Sequence, residues 1–256
     1  MKTRSPLRAA PHRVAGQSVD ERLRELALSR LFVPILLASF LVALALIEWA
    51  RVYFPSAPRP WLMTTFAVLG VAYAVFKIWT NVPELRKLKQ GRDGERAVAE
   101  VLDRLRESGY KVFHDVLGDG FNIDHVVIGP TGVYTVETKT ISKPVRGTAT
   151  VTIHGDQIFL NGYAQERDAV SQARAQAFWL RSMLRESTGY DFAVRPVIVY
   201  PGWFIDHHSA PRTNFWVLNP KALPAFLQNE KCVLSREAVH MAAYHLSRYT
   251  RRQLAE

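Results

Sequence analysis

The residues with the most chemical promise in this chain are Asp124, Glu137 and Lys139, drawn from the stretch FNIDHVVIGPTGVYTVETK. Read as two strands joined by the GPTG turn, with Pro130 and Thr131 as its inner pair, the stretch folds back on itself. Ile128 then faces Val133, Val126 faces Thr135, Asp124 faces Glu137 and Asn122 faces Lys139. A bulged three-residue loop would shift the pairing by one and turn Asp124 to the other face. Directly opposed side chains in an antiparallel pair have Cβ atoms about 4.5–5.5 Å apart, and like charges there destabilise a sheet. A hard divalent cation resolves the conflict, because Mg²⁺ or Mn²⁺ takes oxygen ligands, typically one or two carboxylates with waters and substrate phosphate. Lys139 lies two residues past Glu137 and shares its face, where it can position or deprotonate a water or stabilise charge on phosphoryl oxygens. A Glu-x-Lys pair alone is commonly a solvated ion pair; the opposed Asp124 is what distinguishes this one.

Several elements must exist to hold these residues. Val98, Val101, Leu102 and Leu105 recur at helical spacing and predict a helix over about 94–108, capped by Asp93 and stopped at Gly109. KVFHDV, FNIDHVVI and VYTVETK predict three strands, and TVTIHGDQIFLN a further hairpin turning at His154, Gly155 and Asp156. Ala169, Ala173, Leu180 and Leu184 trace one face of a second helix from about 164 to 187, ended by Thr188 and Gly189. Gln172 and Gln176 lie on that face. VRPVIVY, residues 194–200, has the continuous apolar character of a central strand, and helices are expected near 219–228 and 235–253. The order of helix, three strands, helix and strand is that of an α/β domain, a mixed sheet flanked by helices.

Ahead of this domain stand two apolar segments, 31–50 and 61–80, each twenty residues and so roughly 30 Å long as a helix. Glu48 and Lys77 lie near the segment ends, Trp49, Trp61 and Trp79 mark boundaries, and RVYFPSAPRP forms the turn. The expectation is a transmembrane hairpin over 31–80, in contact with a lipid bilayer. Arg13, Arg22, Arg24 and Arg30 precede it and Arg86, Lys87, Lys89, Arg92 and Arg96 follow, against only Arg51 and Arg59 in the turn. Both termini are therefore expected in the cytoplasm, with the protein in the cell (inner) membrane. Residues 1–30 read as a basic, largely disordered tail, 81–93 as a linker and 94–256 as the catalytic unit. The net charge of +10 divides unevenly: residues 1–80 hold 10 Lys and Arg against 4 Asp and Glu, a net of +6, and residues 81–256 hold 23 against 19, a net of +4. Most of the excess flanks the apolar segments, so it argues for membrane topology rather than for nucleic acid. The single cysteine, Cys232, excludes a disulfide framework and a multi-cysteine zinc site.

GRDGERAVAEVL, DGFNIDHVVIGPTGVYTVETKT and SQARAQ together resemble the NERD (nuclease-related) domain over roughly residues 91–205. The resemblance implies a restriction-endonuclease-like core in which Asp124, Glu137 and Lys139 occupy the Asp…Glu-x-Lys positions. It further implies that the backbone carbonyl of Thr138 adds a metal ligand, that Glu95 helps to bind metal, and that Gln172 lies beside the site. An acidic residue at position 95 also suits a helix start, and a helix glutamine can simply bond backbone or water.

The function expected is a membrane-anchored, Mg²⁺- or Mn²⁺-dependent nuclease that hydrolyses phosphodiester bonds, with DNA the substrate favoured by resemblance and no organic cofactor. Lys143 and Arg146, just past the site strand, are candidates for phosphate contact. A different class, a non-catalytic module binding nucleic acid or protein at the membrane, would keep the fold without needing the opposed carboxylates. Other candidates are weaker. Asp206-His207-His208 is a metallophosphoesterase-like tripeptide without the aspartate motifs that should accompany it. His125 alternates to the face opposite Asp124. His240 and His245 have a poor chelating spacing, and the basic helix ending in Arg248, Arg251 and Arg252 is of a kind that usually packs on its own domain.

Overall fold

The computed structural model describes residues 13–53, 60–144, 147–164, 168–206 and 213–253. Contacts divide the chain into two units: residues 18–90, and residues 13–17 together with 91–253.

The first unit is helical. Helix α1 (Gln17–Leu26) continues through a π-helical turn, Ala27–Phe32, into α2 (Val33–Ala50), and α3 (Pro60–Asp103) begins beyond the turn. Within this unit the contacts are made by small residues: Ala38, Ala45, Ala67 and Ala74 are buried. Gly70 lies so close to Leu41 that a Cβ there would fall 2.4 Å from its Cδ1. The large apolar side chains, Phe40, Leu46, Phe66 and Phe76 among them, are exposed. Two helices are long and apolar enough to cross a membrane, by length and composition.

Two expectations are corrected. The stretch 1–30 is not disordered throughout: from Gln17 onward it is helical, because VDERLREL is rich in strong helix formers. The linker 81–93 is not a break either. Glu84, Leu85, Arg86, Lys87, Leu88, Lys89 and Gln90 favour helix so consistently that α3 passes through them, leaving Asp93 in mid-helix rather than at a cap. Its last residues, Arg104–Ser108, tighten into a 3-10 turn that ends on Gly109 at φ +83°, as the stop signal required.

The second unit is built on a five-stranded sheet in the order β1-β2-β3-β7-β9: β1 (Lys111–Leu117), β2 (Asn122–Gly129), β3 (Gly132–Thr138), β7 (Val194–Val199) and β9 (Trp216–Leu218). The first three strands are antiparallel, and β3, β7 and β9 run parallel. One face packs Val127, Tyr134, Val136 and Val197 against Val98, Leu102 and Leu105, with Leu223 and Leu227 of α5 (Leu223–Asn229). The other packs Val126, Ile128 and Val133 against Leu180 and Leu184 of α4 (Ala169–Thr188) and Val239 and Leu246 of α6 (Arg236–Gln253). A smaller sheet, β6-β5-β4-β8, holds the expected hairpin of β4 (Thr150–His154) and β5 (Gln157–Leu160), turning at Gly155 with φ +60°. Its outer members, β6 (Tyr163–Ala164) and β8 (Phe204–Asp206), like β9, are too short to read from alternation.

Candidate active site

The β2–β3 pairing decides everything at the site. Gly129 pairs with Gly132, Ile128 with Val133, Val127 with Tyr134, Val126 with Thr135 and His125 with Val136, so the next position sets Asp124 across from Glu137. The turn cannot slip, because its tip is held from three sides. The hydroxyls of Tyr110 and Thr131 are 3.0 Å apart, the Tyr134 hydroxyl donates to the Thr131 carbonyl at 2.9 Å, and the N–H groups of Val233 and Leu234 donate to the Pro130 carbonyl at 2.8 and 2.9 Å. Beyond the paired residues the Thr138 N–H donates to Oδ2 of Asp124 at 2.7 Å, tying the two strand ends together. Lys139 N–H then donates to the Val199 carbonyl at 2.9 Å, which fixes the backbone under the lysine.

Helix α4 supplies the partners of Glu137. It starts at Asp168, whose Oδ1 accepts from the Ser171 N–H at 2.9 Å, and ends on Gly189 at φ +74°. Four residues apart, and so on one face, Gln172 and Gln176 point at the same carboxylate. Nε2 of Gln172 donates to Oε1 of Glu137 at 2.8 Å, and Nε2 of Gln176 donates to Oε2 at 2.6 Å and to the Asn122 carbonyl at 3.1 Å. Nζ of Lys139 donates to Oε1 of Glu137 at 2.7 Å and to Oε1 of Gln172 at 2.8 Å. Glu137 is thus gripped through both oxygens. Gln176 is a residue that site reasoning from sequence passed over, although its spacing from Gln172 carried the signal.

Asp124 is 8% exposed and Glu137 5%. Burial pushes the Asp124 carboxyl well above its usual range, the charges of Glu137 and Glu95 push the same way, and the Thr138 N–H and Lys139 pull against them. Glu95 reaches this neighbourhood because Gly94 lets α3 approach the chain just past Lys139: a Cβ on Gly94 would lie 1.7 Å from Oγ1 of Thr140. Lys139 therefore serves both Glu137 and Asp124, with the charge of Glu95 nearby. Among the described residues Oδ1 of Asp124 has no hydrogen-bond donor, which leaves a hard oxygen open beside Glu137. Two carboxylates and a backbone carbonyl at Thr138 are a donor set suited to Mg²⁺ or Mn²⁺. No group of three or more His, Cys, Asp and Glu among the described residues is arranged to hold a metal, and the charge of Glu95 acts on Asp124.

On the opposite face His125 is fully buried, with Nδ1 2.9 Å from Nδ1 of His114 and Nε2 3.4 Å from Oγ1 of Thr138, and Nε2 of His114 lies 3.2 Å from Asp103. Lys143 is exposed, with its ammonium near Gly202 just beyond β7. Arg146, His207 and His208 lie outside the described residues. His240 and His245 are carried by α6, whose Val239, Ala242 and Leu246 enter the core.

The fold and the cluster define an α/β domain that concentrates two acids, a lysine and two amides at the end of a β-hairpin. Residues 90–201 match the family model of the nuclease-related domain, and the chain carries a NERD domain over that stretch. An uncharacterized protein of Bacillus anthracis is 39% identical over 64 residues, 23% of this chain. The chain spans only 30% of that relative's length. No solved structure matches.

Proposed function

We propose that the unit formed by residues 91–253 is a metal-dependent nuclease with a restriction-endonuclease-like core, anchored to a membrane by residues 31–50 and 61–80 with both termini in the cytoplasm. The observation that carries this reading is the shared grip on Glu137: two helix glutamines and Lys139 bind a carboxylate that stands across from buried Asp124. So costly an arrangement of like charges makes sense where a cation is to be held.

Asp124 and Glu137, with the carbonyl of Thr138, would hold a Mg²⁺ or Mn²⁺ ion. When bound, the ion supplies a water activated for in-line attack at phosphorus and stabilises charge on the phosphoryl oxygens. Lys139, held by Gln172, keeps a positive charge at the edge of the site and assists the water or the developing oxyanion. Gln176 fixes the orientation of Glu137, and Lys143 and Arg146 offer phosphate contacts along the nucleic acid. DNA is the favoured substrate by family resemblance. The membrane reading draws on the exposed apolar faces of α2 and α3 and on the surplus of Lys and Arg on both flanks of the hairpin.

The test uses the full-length protein in detergent with single- and double-stranded DNA and RNA, in Mg²⁺, Mn²⁺ or EDTA. Cleavage should require the metal and fall by about 10²- to 10⁴-fold in Lys139→Ala. Equal cleavage by wild type and Lys139→Ala would overturn the assignment, and retention of DNA without cleavage would favour a binding module.

A further inference from the structure

A buried ion pair ties the segment ahead of the apolar hairpin to the strand beside the site. Nε of Arg13 donates to Oδ2 of Asp115 at 2.7 Å, the two side chains being 8% and 1% exposed. Nδ2 of Asn122 donates to Oδ1 of the same carboxylate at 3.0 Å. Asp115 falls between the pairs His114–His125 and Val116–Ile123, hence across from Asp124. Its φ of +50° is left-handed, a region uncommon for non-glycine residues though aspartate enters it more readily than most. The arm is held beyond Arg13 as well: Ala15 is buried, and Gly16, at φ +73°, lies so close to Arg92 that a Cβ would come within 2.8 Å of its Cγ.

Positions 115, 124 and 137 therefore lie in a row across β1, β2 and β3, and Asn122 links the Asp115 carboxylate to Gln176, which holds Glu137. Lys139 serves Glu137, and Arg13 serves Asp115. We infer that Arg13 is a positioning residue of the site: the N-terminal arm neutralises Asp115, so that Asp124 and Glu137 alone present their carboxylates to a cation. The inference rests on reading that pair as the site. Without Arg13 the buried Asp115 carboxylate loses its guanidinium partner across from Asp124, and removing one partner of a buried ion pair is far more damaging than removing both. Segments on both sides of the hairpin then complete one site, and a domain cut at residue 91 lacks part of it.

The experiment compares full-length Arg13→Met, Asp115→Asn, the double variant, Arg13→Met in an Asp124→Asn background, and Arg13→Lys, all in detergent. In metal-free calorimetry Arg13→Met should lower Tm, Asp115→Asn should restore most of the loss, and Asp124→Asn should blunt it by removing the facing charge. A clamp with no bearing on the site would give additive effects of Arg13 and Asp124. Amide exchange over residues 111–124 should quicken in the same order. On DNA, Arg13→Met should lower kcat about tenfold with KM little changed, and Arg13→Lys should keep most of the activity. An Arg13→Met protein with unchanged Tm and exchange, or additive effects of Arg13 and Asp124, would overturn the inference. Should Arg13→Met fail to fold, recovery in the double variant supports the inference and its absence refutes it. If the wild type cleaves nothing, the nuclease reading fails while the calorimetric coupling still decides the role of Arg13.

Discussion

In the unit of residues 91–253 most large apolar side chains lie inside, whereas in the unit of residues 18–90 most lie outside: Trp61 is 69% and Leu46 65% exposed, and the buried residues are chiefly small ones. The same hydrophobic effect produces both patterns only if their surroundings differ. Water drives burial in the first, while an exposed apolar face of this extent needs a non-aqueous cover. Charge follows the same division. In the unit of residues 91–253 four acids, Glu95, Asp115, Asp124 and Glu137, are buried, whereas the basic residues of the hairpin unit gather at its flanks.

The sharpest way to break this comparison is at Glu137. Glu137→Gln should reduce DNA cleavage by at least about 10²-fold while leaving membrane association untouched, measured by single-turnover cleavage and fractionation. Next in size is Phe40→Arg in the middle of α2. An exposed position in a water-soluble unit tolerates such a change within about 0.5 kcal/mol. A bilayer-spanning position loses about 2.5–3.5 kcal/mol of insertion free energy. Carbonate extraction should therefore release Phe40→Arg and not the wild type, and equal retention would count against the membrane reading.

A smaller effect of opposite sign is expected at Asp124. Its raised pKa means that the folded protein loses stability as pH rises from about 3.8 through that pKa, so the charge is a cost at neutral pH. Asp124→Asn should raise the Tm of the metal-free protein, by about 2–4 °C for each kcal/mol relieved, while abolishing cleavage. Mn²⁺ should raise the Tm of the wild type and not of the variant. A lowered Tm for Asp124→Asn would mean that the carboxylate is not strained.

The smallest effect concerns His125, whose pKa burial holds well below the usual value, with the His114 charge adding to the shift. The unfolded chain takes up this proton near pH 6.5 and the folded protein does not. Stability is therefore complete above about 6.5 and declines as pH falls, at no more than about 1.4 kcal/mol per pH unit for the one proton. His125→Gln should flatten the acid side of a Tm-against-pH curve between pH 5 and 7.

Much of the site was legible because a β-hairpin is a local object. GPTG set the loop length, the loop length set the register, and the register set Asp124 against Glu137 without help from distant residues. Gln172 and Gln176 were legible as one helix face, though only the packing of α4 under β3 turned that face toward Glu137. The element order was legible from periodicity, while β6, β8 and β9 are too short to carry any. The course of α3 through 81–93 was misread, because two glycines and an aspartate looked like punctuation inside a run of strong helix formers.

What the amino-acid sequence determined by itself is local: the turn, the alternation, the helical faces and the two apolar segments, each set by interactions between residues close along the chain. Tertiary structure alone decided that Glu95 stands near Asp124 and that Arg13 reaches Asp115, 102 residues away. Such contacts depend on which surfaces meet when helices pack on a sheet. No spacing within one segment encodes that choice, because it is made by the burial of the whole core.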